Sequence, residues 1–375
     1  MNNFITIILC GSLLLLVFIA FSNPNKVNVK ANFWFGLFLT SIFIVNLEDL
    51  FFVIGKEIKN QILINSFSLP ANFIAPLFYI SICYFIKPNR KWKYTDYFHF
   101  FIGILFLLTL LAITFLFTEK NVAINDTEII NVVTVIYYIL QYSFIIQLLI
   151  YGFLTFKKLK KHQENLKIFS SNTENIDLKW LKNIVIIVNG LLLIWIIDML
   201  FNISSPTISV INYFLLLGIF FITFDFIKQK EIYPFSVTLK DEIINIIEET
   251  NSLSNKKELI SNERLNENKT ALLKIMDSQK PYLNSEISLV KLSQMLQTTP
   301  HLISYTINKG FNENFYQFIN RYRIEESKKL LLDPTKNNLT LIGIGYEVGF
   351  NSKSAFNTTF KKITGKTPSE FKKIS

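Results

Sequence analysis

The chain has 375 residues, half of them hydrophobic, with 37 Phe, a mean hydropathy of +0.35 and a formal net charge of +10. So much apolar surface excludes a single soluble globule unless hydrophobes and charges are segregated along the chain. They are segregated: up to Ile227 Lys+Arg exceed Asp+Glu by 4, from Lys228 to Thr270 the balance is −1, and from Ala271 onward it is +7. Cys10 and Cys83 both lie in apolar runs and supply neither a disulfide framework nor metal-ligand spacing.

A helix that crosses a bilayer needs about 20 largely apolar residues. Seven stretches before residue 228 qualify, at roughly 4–21, 33–54, 62–86, 97–117, 129–156, 184–201 and 208–227. The first has no positive n-region and no small-residue cleavage site after it, so it reads as a retained helix rather than a signal peptide. Loop cations orient the spans. Thirteen Lys and Arg follow the first, third and fifth stretches, whereas Lys56, Lys59 and Lys120 are the three that follow the second, fourth and sixth. The odd loops are therefore expected in the cytoplasm, the N-terminus outside, and the C-terminus on the cytoplasmic side of a multi-pass protein of the inner (cytoplasmic) membrane. The lipid bilayer is its first partner.

Ionisable residues inside spans are costly and therefore informative. Glu48 and Asp49 fall near the outer end of the second stretch and Asp198 near the outer end of the sixth; His99 and Asp225 fall near inner ends. Two readings of the three outer acids stand open. They are interfacial residues, solvated or paired with Lys56, or they form an outward acidic pocket for a small-molecule or peptide signal. Pro70 and Pro76 predict a kink or a cavity in the third stretch. His99, beside Tyr97 and Trp92, reads as an interfacial anchor. Nothing resembles the dense ladder of intramembrane charges that marks a pump, which counts against transport; a transporter, or a membrane scaffold whose basic tail binds partners, is the rival reading.

Residues 228–270 are polar and mixed in charge. Leu239, Ile243, Ile246 and Leu253 recur at intervals near 3.5 with Thr250 as a misfit, which suits either a solvated helical connector or a weak coiled coil joining two copies.

Beyond residue 271 the apolar spacing is helical throughout. Ser288 is placed to N-cap a helix carrying Leu289, Leu292 and Leu296; Thr298 and Thr299 form a turn, and Pro300 opens the next helix, with Ile303 and Ile307 inward and His301, Ser304 and Tyr305 outward. Phe315, Phe318, Ile319, Tyr322, Ile324 and Leu330 mark an amphipathic helix ending before Pro334. Ile344 and Val348 then face Phe356 and Phe360 across a turn at Gly349, where a positive φ favours glycine. The outer face of the last of these helices is Lys353, Ser354, Asn357, Thr358 and Lys361. It is polar, short-armed and positive, as a DNA groove requires.

GFNSKSAFNTTFKKITGKTPSEFKK resembles the C-terminal signature of AraC-type transcription regulators. The resemblance extends upstream through PYLNSEISLVKLSQMLQTTPHLISYTINKG and FYQFINRYRIEESKKLLL, over roughly the last hundred residues. It implies two helix-turn-helix heads on a rigid spacer, His301, Ser304 and Tyr305 as base-facing residues of the first recognition helix, and Lys353, Ser354, Asn357 and Thr358 as those of the second. It also implies double-stranded promoter DNA, RNA polymerase and a second copy of the chain as partners, with activation as the sign of control. Lys309, Lys361 and Lys362 are expected at phosphates; Arg321 and Arg323 either join them or pair with acids such as Glu325 or Glu347. The chain departs from the family at Gly343 and Gly345, where Ala is usual, and at Asn312, where Gly is usual. A helical Gly costs about 1 kcal/mol relative to Ala, whereas Asn tolerates the left-handed conformation.

The expected fold is all-α: a seven-helix transmembrane bundle over 1–227, a polar helical linker over 228–270, and a cytoplasmic double helix-turn-helix domain over 271–375. The expected function is membrane-anchored, sequence-specific transcription regulation coupled to an external or membrane signal. No nucleotide-binding, metallopeptidase or hydrolase motif is present in the sequence, so no catalytic residue, cofactor or metal site is assigned.

Overall fold

A computed structural model of the chain describes residues 2–55, 66–118, 127–171, 178–201, 210–229, 261–336 and 338–374. The described residues are helical, with no strand and one isolated antiparallel bridge, between Ser170 and Ser288. Two compact units result: Met1–Lys160 with Leu178–Ile232, and Lys161–Asp177 with Tyr233–Ser375. The heptad-like residues Leu239 to Leu253 lie outside the described residues.

The first unit comprises α1 (Asn2–Ser22), α2 (Val29–Val45), α3 (Leu47–Val53), α4 (Ala71–Ile86), the short α5 (Tyr94–Tyr97), α6 (Phe101–Thr118), α7 (Thr127–Phe169, whose last turns belong to the second unit), α8 (Lys179–Phe201) and α9 (Val210–Ile227). Helix α2 packs against α4 and α1, α8 against α9, and α1 also against α9. The predicted second span is divided at Asn46 into α2 and α3, and the Asn46 side chain donates to the Ile42 carbonyl at 2.8 Å. Pro70, which lacks an N–H, stands at the head of α4, and Pro76 is buried inside it. Phe4–Ser22, Ser66–Ile86, Tyr94–Ala112 and Lys179–Asp198 are long and apolar enough to cross a bilayer, while Val29–Val45 and Ile211–Ile227 are apolar but shorter.

Large hydrophobes face both ways in this unit. Phe35 and Phe226 stack inside at 5.1 Å, yet Leu14, Leu15 and Phe18 of α1, Phe101, Leu108 and Leu111 of α6, and Phe220, Phe221 and Phe224 of α9 are exposed. Exposed apolar surface on that scale marks a contact face, for a membrane or for another protein.

The second unit continues with α10 (Asn262–Ser278), α11 (Leu289–Met295), α12 (Pro300–Phe311), α13 (Phe315–Leu332), α14 (Leu341–Glu347), α15 (Lys353–Thr364) and α16 (Pro368–Ile374). Side-chain caps start its helices: Ser288 accepts from the Lys291 N–H at 3.2 Å, Thr299 from Leu302 at 3.3 Å, Thr340 from Gly343 at 3.0 Å and Ser352 from Ala355 at 3.1 Å. Asn314 and Gln317 form a reciprocal capping box at the head of α13. Asn312 ends α12 at φ +55, the left-handed conformation its side chain permits.

Around α14 and α15 the core is Ile324, Leu331, Ile344, Val348, Phe350, Phe356 and Phe360. Gly345 lets the two helices close up, since a Cβ there would stand 3.0 Å from the Phe356 ring. Gly349 is required twice over. Its φ is +95, and a Cβ would meet the Tyr282 carbonyl at 2.6 Å and that of Leu283 at 2.8 Å.

Gly349→Ala should therefore cost at least about 1–2 kcal/mol from the left-handed backbone alone, with the carbonyl clash added. Gly365→Ala carries only the backbone share, because open space surrounds its Cβ position at φ +77. Thermal unfolding with hydrogen exchange across α13 to α15 checks this; equal losses in the two variants would refute the close-approach argument.

Candidate nucleic-acid interface

Helices α11 and α12 form one head, and α14 and α15 the other. Spacer helix α13 packs against α12 on one side and against α14 and α15 on the other. On α15 the periodicity resolves cleanly. Phe356 and Phe360 are fully buried; Lys353, Ser354, Thr358, Lys361 and Lys362 are exposed, and Asn357 is half-buried. A solvent-facing row of ammonium, hydroxyl and carboxamide groups thus sits on a rigid helix, able to donate to base edges and phosphates.

The first head is less open. His301 and Tyr305 are half-buried and Lys309 is exposed. Ser304, expected outward, is instead buried at 4% exposure, with its hydroxyl 3.5 Å from Asn308 Nδ2. It lies three residues before Ile307 and so shares that residue's inner side of α12.

The two arginines left open by the sequence separate. Arg321 makes a bidentate pair with Glu313, Nε to Oε1 at 2.9 Å and Nη2 to Oε2 at 3.0 Å, and lies over the Tyr322 ring. Its partner is neither of the acids proposed from sequence, because the pair spans the turn between α12 and α13. Arg323 is 1% exposed. Its Nε donates to the Tyr282 carbonyl at 2.7 Å, Nη2 to the Asn284 carbonyl at 2.9 Å and to Ser171 Oγ at 3.2 Å, and Nη1 to Asn320 Oδ1 at 3.2 Å. Ser171 passes the contact on by donating to the Ile287 carbonyl at 3.0 Å. The guanidinium also lies 5.5 Å from the Phe350 ring centroid. It thereby joins the entry to the first head, the spacer, the turn of the second head and the residues that follow α7. Sequence spacing carried no signal for this hub, since its partners are up to 152 positions away.

In the first unit Glu48 and Asp49 are exposed at the start of α3 and Asp198 is half-buried on α8. Asp49 lines a cavity of about 320 Å³; Glu48 and Asp198 do not. The structure therefore does not gather the three acids around that cavity. His99 Nδ1 is 2.7 Å from the Tyr151 hydroxyl.

Against known families, residues 292–374 match a helix-turn-helix domain. The C-terminal unit carries an AraC-type helix-turn-helix domain. An uncharacterised HTH-type transcriptional regulator of Staphylococcus aureus (strain COL) is 29% identical over 98 residues, 26% of this chain and 13% of the relative. Its counterpart from strain MSSA476 matches to the same extent. An uncharacterised HTH-type transcriptional regulator from the cgkA 5' region of Pseudoalteromonas carrageenovora is 44% identical over 66 residues, 18% of this chain and 34% of the relative. This chain thus matches about an eighth to a third of the length of these relatives. No solved structure matches the chain.

Replacing Arg323 by Met strands the Tyr282 and Asn284 carbonyls and should cost about 3 kcal/mol or more, whereas Arg321→Met, which removes a partly exposed pair, should cost about 1 kcal/mol or less. Thermal and denaturant unfolding of the C-terminal unit distinguishes the two; equal destabilisation would mean that Arg323 does not hold the heads together.

Proposed function

We propose that the chain is a sequence-specific DNA-binding transcription regulator that works while anchored in the cytoplasmic membrane and couples a signal received by its membrane half to promoter occupancy. The observation that carries the DNA-binding part is the pair of helix-turn-helix heads fixed to one spacer helix, the second with an unobstructed basic and polar outer face. Two heads on one rigid element suit successive turns of a major groove, about 34 Å apart. The named transcriptional regulators among the relatives support the same reading. Apolar outer faces on α1, α6 and α9 and four helices long enough to cross a bilayer support a multi-span membrane half; the count of seven and the external N-terminus rest on the hydropathy and loop cations of the sequence.

In this reading His301 and Tyr305 of α12 and Lys353, Ser354, Asn357 and Thr358 of α15 face bases, with Ser304 packed behind the first set. Lys309, Lys361 and Lys362 meet phosphates. RNA polymerase and a second copy of the chain complete the assembly at the promoter.

Asn357→Ala should relax specificity at one base position, a loss of about 1–3 kcal/mol of discrimination, and leave the salt dependence nearly unchanged. Lys362→Ala should weaken all sequences alike and shallow the slope of log K against log salt by about one unit. Binding titrations of the full chain over a salt series check both, and identical behaviour would remove α15 from the groove. For topology, a reporter active only outside the membrane is expected to work when fused after Asn121 and to fail after Lys161. The opposite pattern would leave the DNA-binding domain on the wrong side of the bilayer.

A further inference from the structure

We propose that the cavity inside the first unit binds a small amphiphile: an apolar body ending in a primary amine. This deepens the signal-coupling reading and rests on it for its regulatory meaning, although binding itself would stand without it.

The cavity, about 320 Å³, is walled by hydrophobic side chains from α1, α2, α4, α7, α8 and α9, among them Leu13, Phe38, Phe144 and Leu148. Its volume is at the lower end of the range of small-molecule sites, roughly 300–1,000 Å³. Ala71 and Ile74 contribute to the wall just after Pro70, where the third apolar stretch is interrupted.

Three polar residues break the hydrocarbon lining, and their chemistry sets the head group. The Asn46 amide already donates to the Ile42 carbonyl at 2.8 Å, and the Asn212 amide to Thr6 Oγ1 at 3.4 Å. Each keeps an acceptor oxygen and a second N–H, so the sign of the head group is set by the third residue. Asp49 adds a carboxylate with no hydrogen bond or ion pair among the described residues. Acceptors and a negative charge at an otherwise apolar wall call for a donor-rich cation. An ammonium brings three donors, while a carboxylate would be repelled and an alcohol would leave the charge uncompensated. Helix α7, which supplies Phe144 and Leu148, ends at Phe169, two residues before the Ser171 that meets Arg323.

The test uses the full chain in phosphatidylcholine nanodiscs and a diazirine-bearing decylamine as photoprobe. Labelling should fall on cavity-lining peptides of α2, α4 and α8, and excess decylamine, but not decanoate, should suppress it. Asp49→Asn should weaken labelling about tenfold, the scale of a charge-assisted hydrogen bond. Glu48→Gln should leave it unchanged. Leu148→Trp, which fills the space and keeps the carboxylate, should abolish it. Labelling confined to outward residues such as Phe101 and Leu108, or insensitive to both Asp49→Asn and Leu148→Trp, would overturn the site. DNA occupancy by the same samples separates the two levels. Specific labelling without any effect on DNA binding supports the site and sinks its signalling role, whereas unchanged DNA binding with no specific labelling sinks the site alone.

Discussion

A guanidinium held in a dry interior, with no acid paired to it among the described residues, sets the terms for the C-terminal unit. Burying the Arg323 charge costs several kcal/mol after relaxation, and the burial pulls its pKa down to about 10, which leaves it protonated at neutral pH. The charge persists there because two backbone carbonyls, an amide oxygen and a hydroxyl accept its hydrogen bonds. A hydrocarbon side chain would avoid the desolvation cost. It would not require the Tyr282 and Asn284 carbonyls to stand at one distance and angle from the spacer helix. Gly349 belongs to the same constraint, because a side chain there would press on the Tyr282 and Leu283 carbonyls and on Arg323 Nε. Directional satisfaction of one buried cation thus fixes how the two heads are held on their spacer.

The two units distribute the same residue types differently. In the C-terminal unit Phe315, Phe318, Phe356 and Phe360 are all essentially inaccessible, and charged side chains cover the outside. In the N-terminal unit an internal cluster around Phe35 and Phe38 coexists with outward rows of Phe and Leu on three helices. That second pattern explains the high mean hydropathy beside a substantial net charge: the N-terminal unit carries apolar side chains outside as well as inside.

Much of the C-terminal unit was legible in its sequence because its determinants are local. The caps at Ser288 and Thr299, Pro300 at the head of α12, the turn at Gly349 and the facing pairs Ile344 with Val348 and Phe356 with Phe360 each depend on spacings of four residues or fewer. What escaped depends on neighbours. Periodicity assigns Ser304 to a side of a helix but not to what covers it. Gln297 takes a left-handed conformation, φ +50, that its residue type does not advertise. Arg321 finds Glu313 across a turn, and Arg323 finds partners on segments far away in the chain. In the apolar half, hydropathy located helices but not the break at Asn46, and level in the membrane grouped three acids of which Asp49 reaches the cavity.

The C-terminal unit is not a continuous length of polypeptide. It takes Lys161–Asp177 as well as Tyr233–Ser375, and the antiparallel bridge at Ser288 and the hydroxyl at Arg323 both come from the earlier segment. A protease cutting between residues 178 and 232 would release a soluble chain but leave those partners behind, opening the seat of the buried cation to water. Shedding a fragment that diffuses to its promoter is thus a poor fit to this architecture. For a chain anchored as proposed, the nucleoid has to be brought to the bilayer, and the genes under control are those whose loci can reach it.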